Sequence, residues 1–195
     1  MFASAMVREC RLAKRASLVA VVLMALLIAS PAFGFSITFF DATRQDNEVR
    51  IKMAADLVLT EEVIKAIQAN VDVNLKVQVR IYRVRKYFWD DLVVDTDVIY
   101  TISNSNIYRG YEIRSSDGNL DMIYDRLDDA LTNLGKERAY MIVVPDDQAN
   151  QPDIRYRGKC RIYLDRSALP SVVSTTVQFK QSWKLSTEWT EFELP

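Results

Sequence analysis

Four basic side chains occupy alternate positions in one short stretch of this 195-residue chain. They are Arg155, Arg157, Lys159 and Arg161. Because successive side chains of a strand point to opposite faces, this spacing predicts a strand with four positive charges about 7 Å apart on one face. Such a row can recognise an anion: a lipid headgroup, an acidic cell-wall polymer or an acidic partner. It is also typical of a solvated sheet face or a protected edge strand, which is the interpretation we favour from the pattern alone.

A second basic cluster lies in the first half of the chain: Lys76, Arg80, Arg83, Arg85 and Lys86. Residues 71–81 alternate between apolar and polar types, which predicts a long strand with one wet face. If this strand and the strand of residues 154–164 are neighbours in one sheet, the two clusters form a single basic patch. The sequence leaves that adjacency open, so both clusters are candidate binding residues for an anionic lipid or envelope polymer.

The three tryptophans, Trp89, Trp183 and Trp189, are candidates of a different kind. Each can bury on the order of 200 Å² of surface, so core packing is the default interpretation. An exposed subset would instead mark a surface for a protein partner, because Trp, Tyr and Arg concentrate binding energy at interfaces. We therefore treat the three tryptophans as a hypothetical partner surface.

Four carboxylates lie close together at Asp90, Asp91, Asp95 and Asp97, and oxygen ligands at that density can hold Ca²⁺. The stretch lacks the glycine and the terminal glutamate of an EF-hand loop. A wet turn that leads into a strand is therefore the better interpretation, and we predict no metal site.

The composition argues against familiar catalytic machinery. The chain contains no histidine, which excludes a Ser-His-Asp or Cys-His arrangement. Its five glycines form no glycine-rich phosphate-binding motif. A serine nucleophile such as Ser167 or Ser182 would need a glycine elbow or a helix N-terminus, and neither accompanies them. We predict no catalytic site, no cofactor and no enzymatic activity, and Asp146-Asp147 fits a normal turn.

The elements that would position these residues are mostly short strands. Apolar alternation and turn residues predict strands at residues 36–43, 49–59, 71–81, 92–103, 108–115, 139–145, 154–164 and 175–185, with a polar hairpin loop at residues 146–152. Helical spacing predicts a helix at residues 61–69 and a second whose apolar stripe, before Gly135, is Ile123, Leu127, Ala130, Leu131 and Leu134. Roughly eight strands with two helices predict a mainly β (α+β) fold, as an antiparallel β-sandwich or a strongly curved sheet.

Residues 1–32 have the pattern of a signal peptide. Basic residues precede an apolar run, Leu18–Ala29, that is shorter than the roughly 20 residues a spanning helix needs. Small residues at Ser30-Pro31-Ala32 then supply a cleavage site. The alternative is an uncleaved amino-terminal anchor. Either interpretation exports residues 33–195 as a single β-rich domain, and in both the amino-terminal segment engages the membrane first.

Cleavage would change the charge balance. It would remove four basic residues and one acidic residue, so that 25 basic and 26 acidic residues become 21 and 25, a net charge of −4. A mildly acidic domain argues against nucleic acid as a partner, because phosphate neutralisation calls for a basic surface. Only Cys160 would remain, which excludes an internal disulfide, and its place on the apolar side of its strand predicts a buried thiol.

An ordered set of landmarks runs through the second half of the chain. These are Tyr108-Arg109-Gly110-Tyr111, Asp128-Asp129-Ala130-Leu131, Leu164-Asp165-Arg166-Ser167-Ala168-Leu169-Pro170, and Trp183-Lys184-Leu185-Ser186 with Trp189. Upstream, Leu57–Ala66, the strand that runs on to Arg85, and Trp89-Asp90-Asp91 fit the same order. Together they resemble the bacterial exported proteins grouped as domain-of-unknown-function family 4390.

The resemblance implies location and neighbourhood more than chemistry. Genes of such proteins tend to lie beside a membrane sensor kinase of the nitrogen-regulation type, which implies an accessory role in envelope signalling. We therefore expect a non-enzymatic domain on the periplasmic side that binds another envelope protein, such as that kinase. A binder of anionic lipid or envelope polymer through the basic strands is the alternative, and a histidine-free hydrolase is the weakest hypothesis.

Overall fold

The computed structural model describes residues 34–105, 109–145, 155–169 and 180–194. The strands within these ranges are β1 (Phe35–Gln45), β2 (Glu48–Leu57), β3 (Val73–Arg83), β4 (Asp91–Ser105), β5 (Gly110–Ser115), β6 (Asp121–Tyr124), β7 (Arg138–Val143), β8 (Tyr156–Asp165) and β9 (Thr190–Leu194). The helices are α1 (Glu61–Gln68) and α2 (Leu127–Leu134), and a 3₁₀ turn covers Gln181–Trp183. The predicted mainly β, antiparallel fold with two helices is confirmed.

The smaller sheet has three strands in the order β1-β2-β7. A tight turn at Asp46, which has a positive φ of 54°, joins β1 to β2 as an antiparallel hairpin. Along β2, Val49, Ile51 and Met53 are buried while the residues between them are less buried, as expected for a strand with one face in the core.

The larger sheet has six strands in the order β6-β5-β4-β3-β8-β9, and all of its pairings are antiparallel. Its central strand β3 is the strand whose alternation was clearest in the sequence. The odd-numbered residues Val73–Ile81 are all buried, and the even-numbered ones point to the other face. This second, outer face carries the basic residues considered below.

The inner faces of the two sheets share one core. Its side chains come from both sheets, for example Ile51 and Tyr140 from the smaller and Leu75 and Ile162 from the larger. Both helices bury a narrow stripe, which is Val63 and Ile67 in α1 and Leu127, Ala130 and Leu134 in α2. None of the helices in the described ranges has the length and apolar character to cross a membrane.

The predicted start of the second helix is wrong. Ile123 was assigned to its apolar stripe, but it lies in β6 opposite Glu112 of β5 and is 45% exposed. Gly118, with a φ of 74°, closes a tight turn that returns the chain alongside β5. Residues 121–124 therefore form a strand paired with β5, and the helix begins only at Leu127.

The predicted last strand at residues 175–185 is also wrong over its described part. Gln181–Trp183 forms a 3₁₀ turn, and residues 175–179 lie outside the described residues. The strand at this end of the chain is β9, beyond Trp189, where Phe192 and Leu194 face the core between exposed glutamates. The predicted leader (residues 1–32) and the loop at residues 146–152, with its Asp146-Asp147 pair, lie outside the described residues too.

Candidate functional site

The two basic clusters of the sequence meet on neighbouring strands. In the β3–β8 pairing, Arg80 lies opposite Lys159, Gln78 opposite Arg161, and Tyr82 opposite Arg157. Their side chains share the outer face of the six-stranded sheet. We call Lys76, Arg80, Arg157, Lys159 and Arg161 the cationic face.

Neighbouring strands bring carboxylates to the same face. Asp95 of β4 accepts from Arg80 at 3.1 Å, and Asp165 lies 2.9 Å from the Lys76 ammonium. On the other side of β8, Glu191 and Glu193 of β9 lie opposite Lys159 and Arg157. Much of the positive charge is therefore balanced in place, and the face is mixed in sign.

A buried amide ties the cationic face together. Gln78 is only 6% exposed, and its amide nitrogen donates to Asp95 at 3.0 Å. Its amide oxygen accepts two bonds from the Arg161 guanidinium, at 2.9 and 3.1 Å. A buried polar group with satisfied donors and acceptors fixes the orientation of its neighbours. Arg161, Gln78, Asp95 and Arg80 thus form a continuous hydrogen-bonded row across three strands.

Trp189 lies over this row. Its ring centre is 4.4 Å from the guanidinium carbon of Arg161, 4.9 Å from the Lys159 ammonium and 5.4 Å from the guanidinium carbon of Arg80. These distances are within the range of cation–π attraction. Lys159 also lies 5.1 Å from the ring of Tyr82, and it forms no ion pair with a carboxylate of the described residues.

The loop between β3 and β4 begins beside the cationic face, and ion pairs hold its base. Arg83 and Arg85 both donate to one oxygen of Asp91 at 2.7 Å. Arg157 of β8 reaches Asp90 at 3.8 Å, and the backbone N–H of Val84 donates to a β8-side carbonyl at 2.9 Å. The base of this loop is therefore fixed to both strands that flank β3.

The far end of the same loop is exposed and aromatic. Tyr87 is 80% exposed, Phe88 76% and Trp89 94%. Lys86 precedes them, with its ammonium 5.6 Å from the Tyr87 ring. We call Tyr87, Phe88 and Trp89 the aromatic tip.

A cavity of about 420 Å³ lies between the loop and the edge of the cationic face. Its walls are aromatic and charged: Tyr82, Phe88, Trp89, Asp90, Arg157, Lys159 and Glu191, with Gly158 at the floor. Gly158 leaves space that the Phe192 ring occupies, so a larger residue would collide with that ring. The cavity thus offers stacking surfaces together with charges of both signs.

Ion pairing shifts the pKa values of several groups here. The Arg83 hydrogen bond lowers the pKa of Asp91 against the opposing effect of burial. Burial raises the pKa of Asp95, but hydrogen bonds from Arg80 and Gln78 outweigh it and the net shift is downward. The hydrogen bond to Asp165 raises the pKa of Lys76. All three groups are therefore charged at neutral pH.

The other candidate residues from the sequence are placed as follows. Arg155 is exposed and precedes β8 by one residue. Trp183 is only 3% exposed and packs in the core, because the 3₁₀ turn directs it inward, so it is not part of a partner surface. Trp89 is exposed and Trp189 is half-buried. Ser182 donates to Glu62 at 2.7 Å, and Ser167 donates to Asp165 at 2.6 Å.

Three of the four aspartates considered for Ca²⁺ are paired with arginines: Asp91 with Arg83 and Arg85, Asp95 with Arg80, and Asp90 with Arg157. In the part of the chain that the structure describes, no three acidic or cysteine side chains come together as a metal-ion site.

Sequence reasoning missed Tyr87, Phe88, Tyr82 and Gln78. Three consecutive aromatics between charged residues were a signal for an exposed loop, because a strand would have alternated them. Nothing in the sequence distinguished Gln78 from the other polar residues of β3.

Comparison with known proteins gives one match. No curated protein and no solved structure matches the chain. The model of a domain of unknown function, DUF4390, matches residues 32–193, which includes every element described above except the last residue of β9. The chain belongs to the DUF4390 family of domains of unknown function.

Proposed function

We propose that this chain is a non-enzymatic, exported domain that binds another envelope protein through the cavity beside the cationic face. The observation that carries the proposal is the cavity itself. Within one concave space it combines aromatic walls from Tyr82 and Trp89 with the cations Arg157 and Lys159. Protein interfaces concentrate their binding energy on this combination of Trp, Tyr and basic side chains in a pocket.

The mixed charge of the rim favours a protein partner over a polyanion. Asp90 and Glu191 line the same cavity as Arg157 and Lys159. A lipid headgroup or an acidic polymer that entered the cavity would meet these carboxylates at close range and be repelled. A protein surface can present charges of both signs in matching positions, which is how interfaces gain specificity. The anionic-polymer alternative is further weakened because Lys76 and Arg80 already have carboxylate partners.

The rigidity of the cationic face supports the same proposal. Gln78, Asp95 and Trp189 hold the basic side chains in one arrangement before any partner arrives. Binding to a preorganised surface avoids part of the entropy cost of fixing long side chains. Of the two cations that line the cavity, Arg157 already contacts Asp90, whereas Lys159 forms no ion pair with the described carboxylates. Lys159 is therefore the cavity cation best placed to gain a carboxylate from a partner.

A non-enzymatic role agrees with the surroundings of the candidate nucleophiles. The hydroxyls of Ser167 and Ser182 each donate to a carboxylate within the fold. Each carboxylate is also held by an ammonium group, Asp165 by Lys76 at 2.9 Å and Glu62 by Lys180 at 3.6 Å. A carboxylate stabilised in its charged form by a neighbouring cation is a poor general base for a serine hydroxyl. The membrane sensor kinase that the family resemblance implies is the first partner to test, with the domain on the periplasmic side.

The test is affinity capture from envelope extract with the full chain as bait. Lys159→Glu reverses a cation that lines the cavity, and Lys65→Glu makes the same change at an exposed residue of α1 that does not line it. We expect a discrete protein band that Lys159→Glu loses and Lys65→Glu retains, and crosslinking from the cavity should identify the same protein. Bands that are identical for the two variants would refute binding at the cavity.

A further inference from the structure

The aromatic tip overlaps the cavity only in part, because Phe88 and Trp89 line the cavity and Tyr87 does not. Tyr87, Phe88 and Trp89 are each more than three-quarters exposed. At roughly 200 Å² per ring, the three exposed side chains together present about 500 Å² of aromatic surface. Patches of this size on soluble domains usually mark a contact surface. We propose that the aromatic tip inserts into the interfacial layer of an anionic lipid bilayer and seats the domain on the membrane surface.

The order of residue types along the tip fits a bilayer interface. Tyr and Trp prefer the boundary between headgroups and hydrocarbon, because each has an apolar ring and one hydrogen-bonding atom. Phe88, which lacks such an atom, lies between them in the chain and can enter the hydrocarbon more deeply. The described residues show no ring packed against any of the three, so the tip has no aromatic partner inside the fold.

The distribution of charge along the loop also favours an anionic bilayer, because the basic residue is next to the tip and the acidic residues are at the base. Lys86 adjoins the aromatic tip and forms no ion pair with the described carboxylates. The acidic residues of the loop, Asp90 and Asp91, are at the base and are held by Arg157, Arg83 and Arg85. No acidic residue lies between Val84 and Trp89. A bilayer with anionic lipids would therefore meet a cation and three aromatics first, and the carboxylates last.

The exposed end of this loop has a shape that a bilayer surface can accept. The three rings lie at the exposed end of a hairpin whose base is held by ion pairs from Arg83 and Arg85 to Asp91. An exposed hairpin end matches a flat, deformable surface, and its insertion requires no rearrangement of the sheet.

Trp89 provides a direct readout, because it is the most exposed of the three tryptophans of the chain. The full chain is mixed with vesicles of phosphatidylethanolamine and phosphatidylglycerol, and tryptophan emission is followed. We expect a blue shift and quenching by lipids brominated on the acyl chains. Trp89→Phe should abolish both changes while Trp183 and Trp189 stay unquenched. The difference between the wild type and Trp89→Phe reports on the tip alone, because both proteins keep the amino-terminal segment and any vesicle binding that it causes.

A second variant keeps the reporter and removes its neighbours. Tyr87→Ser with Phe88→Ser should raise the lipid concentration needed for half of the Trp89 shift by about tenfold or more, since most of the inserting apolar area is lost. The matched control is Met141→Ser with Val143→Ser, which removes two exposed apolar side chains from the other sheet. The control should leave the lipid dependence unchanged. Circular dichroism confirms that each variant is folded.

The charge contribution is tested in the same assay. Lys86→Gln should weaken binding to phosphatidylglycerol vesicles roughly fivefold, and should change binding to phosphatidylcholine vesicles little. The proposal is wrong if Trp89 emission does not shift with vesicles, or if the double serine variant behaves like the wild type. A shift that appears only when envelope protein is added would assign the tip to a protein contact. Loss of partner capture by Lys159→Glu with an unchanged lipid shift would separate this proposal from the cavity proposal.

Discussion

The hydroxyls of Tyr100 and Tyr140 form a hydrogen bond of 3.1 Å in the interior of the protein. Tyr100 belongs to β4 of the six-stranded sheet, and Tyr140 to β7 of the three-stranded sheet. Both side chains are less than a tenth exposed. The pair is thus a buried polar link between the two sheets.

Removing one member of the pair should cost more than removing both. Tyr140→Phe or Tyr100→Phe leaves a buried hydroxyl without its partner, and we expect each to lower the free energy of unfolding by about 1–3 kcal/mol. The double change to phenylalanine removes both polar groups and should be less destabilising than the sum of the single changes. Urea unfolding of the four proteins measures the coupling. Additive effects would show that the hydroxyls do not interact.

The same pair predicts a loss of stability in alkali. Burial, with the neighbouring Tyr100, raises the pKa of Tyr140 above its ordinary value of 10.0. Above about pH 10 the unfolded chain therefore releases a proton that the native state retains, so the free energy of unfolding falls as the pH rises. The contribution is fully present below pH 10. When unfolding is measured at increasing alkaline pH, the free energy of unfolding should fall less for Tyr140→Phe than for the wild type. An identical fall would show that Tyr140 is not the source of the alkaline sensitivity.

Cys160 should be unreactive in the native protein. It lies on the core side of β8 with no exposed surface, and burial raises its pKa to about 12. The thiolate is the reactive form, so at about pH 8 almost none is present and reagents have no access. Iodoacetamide should label Cys160 only after urea is added, and peptide mass spectrometry distinguishes it from Cys10. Labelling in the absence of denaturant would indicate that β8 opens locally.

Gly135 and Gly34 form a matched pair for a test of packing. A Cβ at Gly135 would overlap the carbonyl oxygen of Ala55, and the Gly135 carbonyl accepts the Ala55 N–H at 2.9 Å. Backbone atoms cannot move aside as a side chain can, so we expect Gly135→Ala to cost about 1–3 kcal/mol. Gly34 has nothing within 4 Å of the same position, and Gly34→Ala should be nearly neutral. Thermal unfolding of both variants makes the comparison.

The strands that could be predicted from sequence are those in which one face is buried and the other is wet. β3 is the clearest case, because apolar and polar residues alternate over Val73–Ile81 and both neighbouring strands pair with this stretch without a register shift. β6 was mistaken for helix because four residues are too few to display a period of two. β9 was missed because its Glu-Phe-Glu-Leu alternation is equally short.

The candidate site could not be predicted from local sequence patterns, because strand order and tertiary placement decide which residues meet. The opposition of Arg80 and Lys159 results from the sheet order, in which β8 returns to β3 after four intervening strands of the chain. The three tryptophans have different environments for a similar reason. Trp183 turns into the core, Trp189 lies over cations of two other strands, and Trp89 projects from a hairpin end. Residue type was the same in all three cases, and tertiary placement decided exposure.

The ion pair between Lys76 and Asp165 predicts a loss of stability in acid. Burial raises the pKa of Asp165, but hydrogen bonds from Ser167 and Lys76 outweigh it, so that its pKa lies below the ordinary value of 3.8. The native state therefore binds fewer protons than the unfolded chain as the pH falls towards and below 3.8. The stabilisation is present above pH 3.8 and is lost as the pH falls through the native pKa. Asp165→Asn should remove this contribution and lower the free energy of unfolding at neutral pH by about 1–3 kcal/mol, because Lys76 loses its partner in a largely buried position.

The control for this prediction is Asp129→Asn, since Asp129 is exposed on α2. Urea unfolding at neutral pH and at about pH 3 should give a clearly smaller difference between the two conditions for Asp165→Asn than for the wild type. Asp129→Asn should keep the wild-type difference. If the two variants have the same pH dependence, the acid sensitivity originates elsewhere. Because Lys76 and Asp165 lie at the end of the cationic face away from the cavity, neither change should affect partner capture.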